Sequence, residues 1–200
     1  TDETACNYDE LAESPDGITG FSWIKNRDAT DNHILQDRVM GIYNYISSNV
    51  SDLQATDANS VQKFLQQGVQ IGNMNAVNTA AESYVLWQWA ANGTGTLNEL
   101  GSIDSYVSAN TDAGFSIVKY TGTGSAATVG HGLSSSPSVI FNKTLGSGST
   151  DPNWQIYHVG MGPTKAMFLN TTGGPATSST YWNNTAPTTT APFVFSIGTD

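Results

Sequence analysis

Three histidines, His33, His131 and His158, are the side chains whose ordinary pKa lies nearest neutrality. His131 stands out because Gly130 and Gly132 flank it in "TVGHGLSSS". A catalytic base needs a partner that polarises it and a nucleophile within reach. No His-Glu-x-x-His, His-x-His or Gly-x-Ser-x-Gly spacing occurs. The flanking glycines instead mark backbone with positive φ or a close approach, as at a hairpin or bulge. Gly130, His131 and Gly132 therefore read as a structural turn, with the imidazole capping a carbonyl. The nearby "GTGS", Gly122 to Ser125, is followed by neither Gly-Lys-Ser/Thr nor a helical pattern. It reads as a turn and not as a phosphate loop.

Paired carboxylates would be the next chemistry. A glycosidase needs two of them about 5–10 Å apart, one with a raised pKa. On a strand they would stand at alternate positions of one face. The nearest approach is Glu99 and Asp104 in "ELGSID", which carries a glycine at its third position. Beyond the first 17 residues the glutamates are Glu82 and Glu99. No catalytic residue is assigned, and a non-enzymatic role is expected. Oxygen ligands are richer at the start, where Asp2, Asn7, Asp9 and Asp16 could hold calcium. The EF-hand spacing is absent, and the competing reading is a solvated acidic linker. No other cofactor is indicated.

Aromatic rings offer binding rather than catalysis, because indole and phenol faces stack on sugar C–H surfaces. Tyr181 and Trp182 lie in an Asn/Thr-rich stretch and are the best exposed candidates, with Trp154 and Tyr157 beside them. Trp87 and Trp89 share a strand face; together with Trp23 they are expected in the core.

The elements that must position these residues are strands. The chain has 200 residues, 38% hydrophobic and only 12% charged, with much Ser, Thr, Asn and Gly. That composition disfavours exposed helices and suits strands joined by tight turns. "GFSWIKNR", "HILQDRVMGIYNYI", "GVQIG", "SYVLWQWA", "GFSIVKYTG", "PSVIFNK", "WQIYHVG", "KAMFLN" and "PFVFSIG" are the strand-like runs. A short helix is predicted over 57–68, where Ala58, Val61, Phe64 and Leu65 fall on one helical face. "TTGGPATSST" and "NNTAPTTTAP" read as loops. The fold class is all-β, an antiparallel sandwich.

Residues 1–17 form an acidic head or linker closed by Pro15-Asp16-Gly17, and 18–200 form the sandwich module. The module carries a weak internal repeat at roughly 120 residues, giving halves of about 18–100 and 113–200. Ile24 matches Ile140, Lys25 or Arg27 falls near Lys143, Asn49 matches Asn170, and Gly72 matches Gly198. "SYVLWQWAANG" follows the first copy and has no counterpart in the second. The halves must then fuse into one sandwich or borrow a strand from a neighbour.

The net charge of −10 opposes nucleic-acid binding and adsorption to anionic membranes. No apolar run reaches membrane-spanning length, and no signal peptide is evident. The single cysteine, Cys6, excludes an internal disulfide and a cysteine-built zinc site. An opening without Met suggests a processed or excised piece of a longer chain. The sequons at Asn49, Asn92, Asn142, Asn170 and Asn183 matter only for a eukaryotic source.

Residues from Ile18 to Asp200 also carry a resemblance. "GFSIVKYTGTGSAATVGHGLSSSPSVIFNK", "WQIYHVGMG", "YWNNTAPT" and "FVFSIG", with "FSWIKNRDATDNHILQDRVMG" and "YVLWQWAANGTG" before them, resemble a repeat module of marine phage and cyanophage virion-surface proteins. Such modules occur in tail-fibre-like proteins and look similar to concanavalin A-like, laminin-G-type jelly rolls. The head resembles the "CTDxxACNYD…DGSC" repeat of secreted marine proteins, a cation-binding spacer. Its last cysteine is missing here, so Cys6 has no visible partner.

These resemblances imply a virion-surface structural protein — fibre, spike or capsid decoration — that binds host glycans. The alternative is a secreted or cell-surface adhesion module that self-assembles, with a glycan hydrolase third. Expected partners are other copies of the chain as a homo-oligomer, other virion or surface proteins, and cell-surface glycans. The expected location is the virion surface or the extracellular space.

Overall fold

A computed structural model describes residues 19–148 and 151–199. The first part of the chain holds β1 (Thr19–Asn26), β2 (Ile34–Asp37), β3 (Asn44–Tyr45), β4 (Ala55–Thr56), β5 (Val61–Leu65), β6 (Gly68–Ile71) and the single-turn α1 (Asn75–Asn78). The middle holds β7 (Tyr84–Ala90), β8 (Thr96–Asn98), β9 (Ser105–Asn110), β10 (Phe115–Tyr120) and β11 (Ala127–Gly130). The last part holds β12 (Val139–Asn142), β13 (Gln155–His158), β14 (Lys165–Phe168), β15 (Ala176–Thr177), the single-turn α2 (Ser179–Trp182) and β16 (Val194–Ile197). The protein is all-β, and its ladders are antiparallel, in the orders β2-β1-β7, β10-β9-β8, β11-β16 and β12-β13-β14-β15, with hairpins β3-β4 and β5-β6.

Alternation explains how the first sheet is covered. Ser22, Ile24 and Asn26 of β1 are buried on one face, whereas Phe21, Trp23 and Lys25 are half-buried on the other. Ile24 and Ile34 join Val61, Phe64 and Val77 in one apolar cluster. Leu35, on the opposite face of β2, packs with Met40, Ile46 and Trp154 in another. β2 is thus covered on both faces, and its Ile34, Leu35 and Gln36 are all buried. Two further clusters, Val129–Phe195–Ile197 and Tyr157–Ala166–Trp182, serve the later strands.

The helix predicted over 57–68 is absent; β5 and β6 form a hairpin there. The ladder shifts register between Val61 and Lys63, a bulge that adds one residue to the strand. The extra residue turns Phe64 onto the same side as Val61, and both are buried. An i, i+3 apolar pair that reads as helical is therefore made by a bulged strand. "TTGGPATSST" is not wholly loop either, since it contains β15 and the start of α2.

The two parts of the chain repeat one pattern of pairing. Asn44↔Thr56 and Tyr45↔Ala55 recur as Lys165↔Thr177 and Ala166↔Ala176. The bridge Leu35↔Ile46 recurs as Ile156↔Met167. Gly41 N–H donates to Asp37 O, and Gly162 N–H donates to His158 O. Asn49 accepts from the His33 N–H at 3.0 Å and donates to Asn32 at 2.8 Å. Asn170 does the same with the Trp154 N–H at 2.9 Å and Asn153 at 2.8 Å.

Gly72 and Gly198 also correspond. Each donates its N–H to a matching carbonyl, Ser60 O or Tyr181 O. A Cβ at either glycine would overlap the neighbouring backbone. One pairing from the sequence shifts: Ile24↔Ile34 recurs as Asn142↔Gln155, so Ile24 corresponds to Asn142 rather than Ile140, and Lys25 to Lys143. β7 to β11 lie between the repeated sets.

Candidate functional site

The first and last candidates of the sequence exchange places. Trp182, expected in an exposed loop, is 1% exposed. It sits in α2, whose Ser178 caps the turn by accepting from Thr180 N–H, and its ring meets Tyr157 edge-on at 5.8 Å. Tyr157 is buried too, and burial raises its pKa. Trp154 is buried against Leu35, Met40 and Ile46 and donates its Nε1–H to Ser47 O at 2.7 Å. Tyr181 is half-buried against Phe168, ring centroids 5.5 Å apart. Three of the four rings proposed for sugar stacking are therefore core: Tyr157 and Trp182 pack with Ala166, and Trp154 packs into the first half. At the positions of Tyr157 and Trp182 the first half holds Gln36 and Val61, joined by a 2.8 Å bond from Val61 N–H to Gln36 Oε1.

Of the three tryptophans expected in the core, Trp87 and Trp89 are exposed, whereas Trp23 is half-buried against the Leu35–Trp154 cluster. The β1–β7 register sets Trp89 opposite Phe21 and Trp87 opposite Trp23. Alternation puts all four on one face. β7 is the edge of its sheet, with no described strand on its outer side, and Phe115 of β10 packs onto the same face. Trp87 is 45% exposed and Trp89 is 38% exposed. Their orientation is fixed by ring contacts: Phe21 to Trp89 at 5.3 Å, Trp23 to Trp87 at 5.9 Å, and Phe115 stacked on Trp89 at 6.1 Å with an interplanar angle of 23°. Trp23 donates its Nε1–H to His33 Nδ1 at 2.8 Å. His33 is thereby held with Nδ1 as acceptor, and burial followed by the Lys25 charge lowers its pKa. The result is a ridge of preset indoles over a polar tether, suited to stacking on a flat apolar surface.

His131 is buried directly after β11. Its Nδ1 accepts from the Leu133 N–H at 3.2 Å, so the ring caps an amide and not a carbonyl. Nε2 is buried with no hydrogen-bond partner among the described residues, and burial lowers the pKa. Gly132 follows with φ +72°, and a Cβ there would stand 2.6 Å from Val107 Cγ1. Both demands leave glycine as the residue that fits. Among the described residues neither ring nitrogen is hydrogen-bonded to a side-chain nucleophile. Glu99 and Asp104 are exposed and lie outside β8 and β9, so they do not share a strand face.

Asp2, Asn7, Asp9 and Asp16, the calcium candidates, lie outside the described residues, as does Cys6. Among the described residues no group of three or more His, Cys, Asp or Glu is placed to hold a metal ion, and no helix is long and apolar enough to cross a membrane. Asp37 is a titratable group that no motif singles out. It accepts from the Met40 N–H at 2.6 Å, and burial pushes its carboxyl up to about 6 against the Met40 and Val39 amides and the Lys119 charge.

Fold and surface together define an antiparallel β-sandwich with an aromatic ridge along one sheet edge. The chain belongs to the family DUF7483, a domain of unknown function, which matches residues 13–200. No curated protein and no solved structure matches it.

Proposed function

We propose that this chain is a non-enzymatic binding module of a virion or cell surface, and that it holds carbohydrate on the Trp87–Trp89 ridge. The observation that carries the reading is the pair of half-exposed indoles on an edge strand, flanked by Phe21 and Trp23, with Phe115 stacked on Trp89. Large aromatic rings left in water by a fold that buries Trp154 and Trp182 are a binding surface by the ordinary logic of exposed apolar patches. Their contacts hold them in place before any ligand arrives, which lowers the entropy cost of binding. The virion setting is supported by the resemblance across Ile18 to Asp200 and carries with it a jelly-roll reading of the sandwich. The acidic surface suits a neutral glycan better than a polyanion.

A glycan array followed by NMR titration of the indole N–H signals tests this. Binding that shifts the Trp87 and Trp89 signals, weakens about tenfold in Trp87→Ala and persists in Tyr181→Ala supports the reading. An array without hits, with and without calcium, removes it.

A further inference from the structure

The two halves present one sheet edge in the same frame and finish it differently. In the first half the outer edge of β1 is closed by β7, with Trp89 and Trp87 standing opposite Phe21 and Trp23. In the second half β12 takes the place of β1. Asn142 pairs with Gln155 as Ile24 pairs with Ile34, and Val159 N–H donates to Ser138 O as Arg38 N–H donates to Gly20 O. On that register Val139 and Phe141 stand where Phe21 and Trp23 stand. No described strand pairs with the outer edge of β12, and Val139 and Phe141 are 40% and 54% exposed.

Natural sheet edges are guarded by charge, proline or a covering segment. This one has no charged residue within the strand. The lysine next to it, Lys143, turns its Nζ back onto the carbonyls of Ser51, Thr144 and Pro152.

We infer that the outer edge of β12 takes an antiparallel strand from a second copy of this chain, and that the strand is β7. The occupant is indicated by the chain itself: β7 is the strand whose composition closes the corresponding edge in the first half, and its opposite side is an edge unpaired among the described strands. β7 keeps β1 on one side, and no described strand pairs with its other side. It too carries no charge, and it exposes Leu86, Trp87 and Trp89. Two uncharged strands can therefore approach despite the net charge of −10. Each copy has one donor edge and one acceptor edge, and these differ. The contact is head-to-tail, and it propagates into a ring or a filament. The inference is independent of carbohydrate binding, because strand pairing uses the backbone edge and not the ring faces.

Sedimentation velocity of the full chain over micromolar to millimolar concentrations tests it. The expected result is assembly that grows with concentration. Phe141→Lys and Val139→Lys on the acceptor edge, and Leu86→Lys on the donor edge, each weaken it at least about tenfold. Circular dichroism and melting temperature stay unchanged in these surface variants. Mixing Phe141→Lys with Leu86→Lys gives a heterodimer that grows no further, since each retains the edge the other lacks. A chain that stays monomeric throughout, assembly that survives both acceptor variants, or Leu86→Lys pairing with itself through β12 would overturn the inference.

Discussion

Trp87 and Trp182 are chemically identical and do opposite work. Trp182 fills an interior with Tyr157 and Ala166, so Trp182→Ala should cost about 3–5 kcal/mol. Trp87→Ala should cost under about 1 kcal/mol while impairing binding. Urea denaturation of both variants checks the contrast, and equal losses would contradict the placement of the ridge. Asp37 gives a second residue-scale prediction. Its carboxyl is raised from 3.8 to about 6 by burial, so the folded chain holds a proton that the unfolded chain releases. Its contribution favours the fold below pH 3.8 and is lost as pH rises through about 6. Asp37→Asn should therefore flatten the pH dependence of the melting temperature across that window and raise stability above it. An unchanged slope would place the titration elsewhere.

Elements explain what the sequence discloses and what it hides. Alternation in "SYVLWQWA" and "GFSWIKNR" yields strands with Trp87 and Trp89 on one face, as β7 and β1 confirm. It does not say which part of a face other elements cover: edge strand β2 is buried on both faces, whereas edge strand β7 leaves Trp87 and Trp89 exposed. The bulge in β5 defeats the period rule at Val61 and Phe64, since one added residue converts a strand's spacing into a helix's. Asn49 and Asn170 read as sequons, whereas their amides clamp one segment to the next in both halves. Asn49→Ala and Asn170→Ala should each cost about 1–2 kcal/mol, measurable by thermal unfolding. Rescue of either by Asp, which keeps only the acceptor, should be partial.

At the scale of the molecule, the halves are joined by more than the chain. Trp154 of the second half is buried among Leu35, Met40 and Ile46 of the first and bonds to Ser47 O. Unfolding should accordingly be one cooperative transition, and residues 113–200 expressed alone should give a collapsed amide NMR spectrum. A well-dispersed spectrum from that fragment would show the second half to be self-sufficient. The matched registers have another consequence. Gln36 with Val61 and Tyr157 with Trp182 fill corresponding places, but Val61 opens strand β5 whereas Trp182 ends helix α2. Each side-chain set is thus tied to the element that carries it. Moving the Tyr157–Trp182 pair into the first half would therefore require moving the helical turn with it, so the two halves are interchangeable as elements and not residue by residue.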